Sequence, residues 1–248
     1  MVEWAASVAE AKRFSLSGLL LRLVESQEQV ATNQLVSSLD RQVVLEEMLE
    51  ATKPRLRAGT ERLHYLLATP FRYPPLKHGS RFGSRSERSL FYGALETRTV
   101  LAETAYYRFL FWHGMVTPPA GKLDTQHTLF GAAYYTDQGL RLQALPFVTH
   151  SDVLCSPSDY GASQALGRDM RAAGVEAFEF ISARDPERGI NVALFTAAAL
   201  SGNDPEFQAA WLCELTGEYV RFHAAHSQTL YTFAIGTFLV DGKLPQVA

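Results

Sequence analysis

Between Phe71 and Glu103 the chain reads FRYPPLKHGSRFGSRSERSLFYGALETRTVLAE, which sets two arginines (Arg72, Arg81), two tyrosines (Tyr73, Tyr92) and the carboxylate of Glu103 close together. Guanidinium groups offer forked donors that match phosphate, phenol rings offer flat faces for heterocycles, and a partly buried carboxylate answers a developing positive charge. A dinucleotide requires all three. Each residue also has a plainer reading. Arginines are usually surface residues, Tyr73 can pack beneath Pro74 and Pro75, Tyr92 sits in a strand where aromatics are common core residues, and Glu103 can belong to a buried salt bridge.

The elements that must position these groups are partly readable. Thr97 caps a helix that runs to about His113 and stops at Gly114; on it Val100, Glu103, Tyr107 and Leu110 share one stripe, which predicts an inward-facing carboxylate that needs partners. Residues 89–94 read as a strand. Residues 129–135 and 139–145 read as a strand pair turning at Asp137, Gln138 and Gly139. A helix over 163–173 ends at Gly174, strands follow at 175–182 and 190–195, and the last forty residues suggest a hairpin turning near Gly217 with a final strand around 230–233. Upstream, residues 33–52 carry apolar side chains at Leu35, Val36, Leu39, Val43, Met48 and Leu49, a helical stripe closed by Pro54. Residues 15–30 also read as helical, and Thr60 is placed to cap a short helix through Leu67. The expectation is a helical extension over 1–69 and an α+β domain over 70–248.

Composition bounds the function. The chain has 248 residues, enough for one large or two small domains, and 47% hydrophobic residues suffice for a sizeable core. A net charge of −3 argues against a strongly electrostatic nucleic-acid binder. Cys155 and Cys213 stand far apart without paired spacing, so neither a disulfide framework nor a zinc site is expected, and a reduced, cytoplasmic setting fits. The run Leu19–Val24 is interrupted by Arg22 and falls far short of a membrane span or signal peptide. There is no GxGxxG after a strand, no GxxxxGK[ST], no GxSxG and no HExxH. His223 and His226 lack a third ligand nearby. The aromatic run Tyr106–Trp112 lies along a helix, so most of its rings are expected to face the core rather than a nucleic acid.

Five blocks in order carry a resemblance: Phe71-Arg72-Tyr73, Gly79-Ser80-Arg81-Phe82, Leu90-Phe91-Tyr92-Gly93-Ala94, Leu101-Ala102-Glu103, and downstream Ser163–Arg168 with Ile181-Ser182-Ala183-Arg184-Asp185-Pro186. Over about 70–235 the chain resembles the RES domain, a family named for an arginine, a glutamate and a serine. The FRYPP and HGSRFG wording and the N-terminal extension resemble its longer, ParT-like subgroup. The resemblance implies an ADP-ribosyltransferase-like fold and a toxin that consumes NAD as co-substrate without a metal. It implies an Xre-type antitoxin as partner in a hetero-oligomer and, for the subgroup, ribose-phosphate pyrophosphokinase as the protein modified. It assigns Glu103, Arg72 and Ser182 to catalysis and Arg72, Tyr73, Arg81, Tyr92 and Ser182 to NAD binding. The Glu103 to Ser182 interval is longer, and the Arg72 to Arg81 link shorter, than in short family members.

The chemistry is consistent with those residue types. Cleaving the nicotinamide–ribose bond passes through an oxocarbenium-like transition state, and the cationic pyridine leaves without a proton. A carboxylate at the ribose is then the useful group, and a hydroxyl at Ser182 has either a phosphate or that carboxylate as partner. Three readings stay open: transfer of ADP-ribose to a protein, NAD degradation with water or phosphate as acceptor, and a non-catalytic partner-binding protein.

Overall fold

A computed structural model describes residues 3–26, 36–225 and 227–246 of the chain. In chain order the elements are α1 (Trp4–Glu10), β1 (Phe14–Glu25), α2 (Leu39–Thr52), α3 (Tyr65–Arg72), β2 (Phe91–Ala94), α4 (Thr97–His113), β3 (Leu123–Arg141), α5 (Ser151–Leu154), α6 (Gly161–Ala172), β4 (Ala177–Ile181), β5 (Ile190–Leu194), β6 (Phe207–Leu215), β7 (Tyr219–Ala224) and β8 (Leu230–Ala234). The fold is α+β, as expected. Among the described residues no helix is long and apolar enough to cross a membrane.

The sheet is organised by β3. One edge pairs antiparallel with β1 from Gly139–Phe14 to His127–Glu25. The other edge pairs antiparallel with β6 along 123–131 and parallel with β4 along 139–141. Antiparallel β4–β5 and β5–β2 pairs and the Leu21–Ala94 contact then return to β1, so five strands close a ring, and β6, β7 and β8 extend it as a meander. Leu16, Leu20, Phe91, Phe130, Val192 and Leu194 from the ring form one core with Leu67 and Phe71 of α3. A second core sets Val100, Leu101, Ala105, Tyr106, Phe109 and Trp112 of α4 against Leu215, Phe222, Phe233 and Phe238. A third joins Trp4, Phe82, Leu166, Met170, Phe178 and Phe180.

Helix α4 runs from Thr97 to His113 with Gly114 as its C-cap, matching the extent read from the sequence, but Thr97 is its first helical residue and the N-cap is Glu96, which makes no side-chain cap bond. Other elements differ. Residues 14–25 form a strand, so the all-helical reading of residues 1–69 is corrected: a short apolar run does not by its periodicity distinguish a buried strand from a helix, and the long partner β3 decides it. Of the 15–30 segment, residues 27–30 lie outside the described residues, as do 33–35 of the next. The helix expected over 33–52 begins at Leu39, N-capped by Ser38, and its apolar stripe is not buried: Leu39 is 82% exposed and Met48 63%. Its inner face is Gln42 instead. Thr60 caps no helix; His64 Nδ1 accepts from Leu66 N and starts α3. The expected turn at 137–139 is absent because β3 runs straight through it. Gly139 serves close approach, since a Cβ there would lie 2.4 Å from Leu16 Cγ.

Because β1 belongs to the ring, a chain lacking residues 1–69 is expected not to fold. It loses Leu16, Leu20 and Leu23, each buried, at about 1.5–3 kcal/mol apiece, together with the longest ladder of the sheet. Circular dichroism and thermal melting of the truncated protein check this. A soluble product with a cooperative melt contradicts it.

Candidate active site

Glu103 lies on the face of α4 that looks toward the end of the β4–β5 hairpin. Its Oε1 accepts two hydrogen bonds, from Ser182 Oγ at 2.6 Å and from Asn191 Nδ2 at 2.7 Å. Ser182 follows β4, and Asn191 sits on β5 opposite Phe180. The Ser182 hydroxyl also accepts from the backbone N–H groups of Arg184 (3.1 Å) and Asp185 (3.0 Å). A hydroxyl has one proton, so with both N–H groups pointing at its oxygen that proton goes to Glu103. Of the two partners open to Ser182, the carboxylate is the one it meets. Hydrogen bonds to a charged group contribute about 1.5–3 kcal/mol each, enough to hold the carboxylate in one orientation. Oε2 has no hydrogen bond among the described residues.

The loop beyond Ser182 is itself pinned. Asp185 Oδ2 accepts from Thr99 Oγ1 at 2.8 Å, tying the hairpin to the first turn of α4. The Arg184 guanidinium lies 3.5 Å from the centre of the Tyr106 ring. A Cβ at Gly189 would lie 1.9 Å from Thr99 Oγ1, so only glycine permits that approach.

Arg81 reaches the same place from a tight turn. Gly79 has φ +76°, Ser80 N donates to Gly83 O at 2.7 Å, and Gln164 Nε2 binds the carbonyls of His78 and Ser80. Helix α6 presses so closely that a Cβ at Gly167 would stand 2.1 Å from Phe82 O. Arg81 Nη1 donates to Leu154 O and Ser156 O, and its guanidinium lies 4.4 Å from the Tyr160 ring centre. Tyr92 OH meets Ser80 Oγ at 3.0 Å and accepts from Phe82 N at 3.1 Å; burial pushes its phenol up to about 12, so it stays neutral.

Arg81, Tyr92, Glu103, Tyr160 and Asn191 line one cavity of about 370 Å³, with Ser182 behind Glu103. The cavity has a further cation. Arg22 of β1 donates Nη1 to Tyr92 O at 2.7 Å, and burial lowers it only to about 10, so it remains charged near neutral pH. Neither Arg22 nor Arg81 has a carboxylate within salt-bridge distance among the described residues. Arg72 and Tyr73 are not on this wall. Arg72 is the last residue of α3, where it pairs with Glu50 at 2.7 Å and donates Nε to Pro54 O; Tyr73 caps that helix and is exposed. Sequence reading missed Arg22, Asn191, Tyr107 and Tyr160. For Arg22 the signal existed: a lone charge inside the apolar run Leu19–Val24.

The RES domain family model matches residues 55–215, more than half of the chain, including Arg81, Glu103, Ser182 and Asn191. The chain belongs to the RES domain family. A search of the curated proteins finds no match to this chain. Among solved structures, the RES chain is similar to one from the crystal structure of the M. tuberculosis MbcT–MbcA toxin–antitoxin complex, at 9% identity and TM-score 0.48, over 86% of this chain and 92% of that one. Arg22 precedes the segment matched by the RES model.

Two substitutions test the carboxylate's mooring. Ser182→Ala leaves two backbone N–H groups without their acceptor and removes one donor to Glu103, and a destabilisation of about 1–3 kcal/mol is expected as a lower denaturant midpoint at unchanged slope. Asn191→Asp sets a second carboxylate against Glu103. Like charges raise the pair's folded pKa, so the variant's deficit is expected to be full above that value and to shrink as pH falls through it. A midpoint deficit that is the same at pH 5 and pH 8 contradicts the assigned contact.

Proposed function

We propose that this RES protein is the toxin of a toxin–antitoxin pair, and that it cleaves the nicotinamide–ribose bond of NAD and passes ADP-ribose to a protein. One observation carries the reading. Two arginines without carboxylate partners and a carboxylate fixed by two donors line a single cavity. The cations suit the pyrophosphate, and the free Oε2 of Glu103 suits the ribose, whose hydroxyls it accepts from and whose developing charge it stabilises as the C–N bond breaks. Tyr160 and Tyr92 supply ring faces. Ser182 and Asn191 act through Glu103. Arg72, held by Glu50 and Pro54 O, anchors α2 rather than the dinucleotide.

Family membership supports NAD as substrate. The resemblance of FRYPP and HGSRFG to the ParT-like subgroup supports ribose-phosphate pyrophosphokinase as the modified protein and an Xre-type antitoxin as the inhibitor. The acceptor is the finer point, because water, phosphate and a protein side chain compete for the same ribose carbon.

Purified protein incubated with NAD is expected to release nicotinamide and, in cell extract, to add an ADP-ribose mass increment to one protein. Glu103→Gln keeps the shape but removes the charge, and the rate is expected to fall on the order of a hundredfold. Arg22→Lys replaces a fork by a point charge and is expected to raise KM for NAD severalfold. Free ADP-ribose or its phosphorylated form, with no labelled protein, moves the acceptor to water or phosphate. Wild-type turnover by Glu103→Gln overturns the assignment of the site.

A further inference from the structure

Beyond the Glu103 cavity the groove between α4 and β1 continues. A second cavity of about 390 Å³ is lined by Glu25, Tyr107, Arg108, Phe111, Leu123 and Thr125, and it shares Thr104 and Tyr107 with the first. Both walls advance in step. On α4 the lining passes from Val100 and Glu103 to Tyr107 and Phe111, and on β1 from Arg22 and Leu23 to Glu25. The eleven helical steps from Val100 to Phe111 make the groove about 16 Å long at 1.5 Å per residue.

The two cavities differ in chemistry. The first holds the arginines and the catalytic carboxylate. The second offers two half-exposed rings one turn apart, Tyr107 (49%) and Phe111 (53%), with Leu123 beside them. Its polar floor is already balanced: Arg108 gives Nη1 to Glu25 Oε2 and Nη2 to Thr125 Oγ1, both at 3.1 Å. Glu25 Oε1 has no hydrogen bond among the described residues, and Glu25 is 60% exposed. A site with flat apolar faces, no net charge and a spare carboxylate oxygen suits a neutral heterocycle on a ribose, with the oxygen accepting from an exocyclic amine or a sugar hydroxyl.

We propose that this second cavity is the adenosine subsite, so that the dinucleotide lies along α4 with nicotinamide riboside at Glu103, its phosphates by the arginines of the first cavity, and adenine over Tyr107 and Phe111. The assignment rests on the NAD reading above and adds to it the direction in which the substrate lies. Tyr107, which faces both cavities, divides them. Phe111 belongs to the second cavity alone and is the residue that tests it.

Calorimetric titration of the intact protein with adenosine monophosphate reads the subsite without turnover. Binding is expected in the wild type, weakened at least tenfold in Phe111→Ala and retained in Phe111→Tyr, which keeps the ring and controls for folding. In steady state Phe111→Ala is expected to raise KM for NAD about tenfold at near wild-type kcat, and adenosine monophosphate is expected to bind alongside nicotinamide mononucleotide. Equal affinity of the wild type and Phe111→Ala for adenosine monophosphate overturns the proposal. So does competition between the two mononucleotides, or a Phe111→Ala variant with wild-type KM that has lost protein labelling, which would make the cavity the acceptor's. Absence of nicotinamide release by the wild type would instead defeat the NAD reading, and the titration would still decide whether the cavity takes adenosine.

Discussion

The single proton of the Ser182 hydroxyl is the constraint on which the site depends. Two backbone N–H groups occupy the oxygen, so the proton has one place to go, and it goes to Glu103. That polarity requires Glu103 to be an acceptor, and the Asn191 amide repeats the requirement from β5. The carboxyl group is thereby held through one oxygen, and the other is left without a hydrogen bond among the described residues. Everything that holds the Ser182 loop serves this arrangement: Asp185 on Thr99, Arg184 on Tyr106, and the glycine at 189 that lets the hairpin touch α4. A partly buried carboxylate is costly without partners, and here two donors supply them, one just after β4 and one on β5.

The cations follow a different logic. Arg108 and Arg72 have carboxylate partners at 3.1 and 2.7 Å and are neutralised where they stand. Arg22 and Arg81 are instead held by carbonyls, those of Tyr92, Leu154 and Ser156, which fix direction without cancelling charge. The cavity therefore keeps a positive wall facing a negative point. In a partly desolvated setting charges held in fixed directions act more strongly than the same charges in water.

The legible part of the sequence was the part governed by local rules. Helix α4 has a helical repeat from Val100 to Leu110 and a glycine stop, so the placement of Glu103 on it could be read directly, although its N-cap is Glu96 and not Thr97. Gly174, at φ +72°, and the β6–β7 hairpin were legible for similar reasons. What escaped depends on contacts distant in sequence. Residues 14–25 are a strand because β3 lies alongside, and with that element misread, Arg22 had no wall to stand on. Gly139 looked like a turn and is a point of close approach to Leu16. Arg72 looked like a clamp because its neighbours are aromatic and proline residues, but Glu50 takes its charge. Asn191 is a lone amide in the apolar strand INVAL, a signal of the same kind as Arg22, and its partner lies on a helix eighty-eight residues away.

The pairing of β1 with β3 also bears on how the chain is made. Strand β1 ends at Glu25 and its partner is complete only at Arg141, so the ribosome adds 116 residues (141 − 25) before the ladder can close. At about 5–20 residues per second this takes roughly 6 to 23 s. During that interval the apolar segment LLLRLV has no strand beside it, and unpaired apolar strands are where nascent chains associate wrongly. Ser182 and Asn191 emerge later still. The first part of the pocket to be synthesised is thus an arginine on a strand that must wait for nearly every other wall, and no shortened product ending before β5 can assemble the carboxylate's full set of partners.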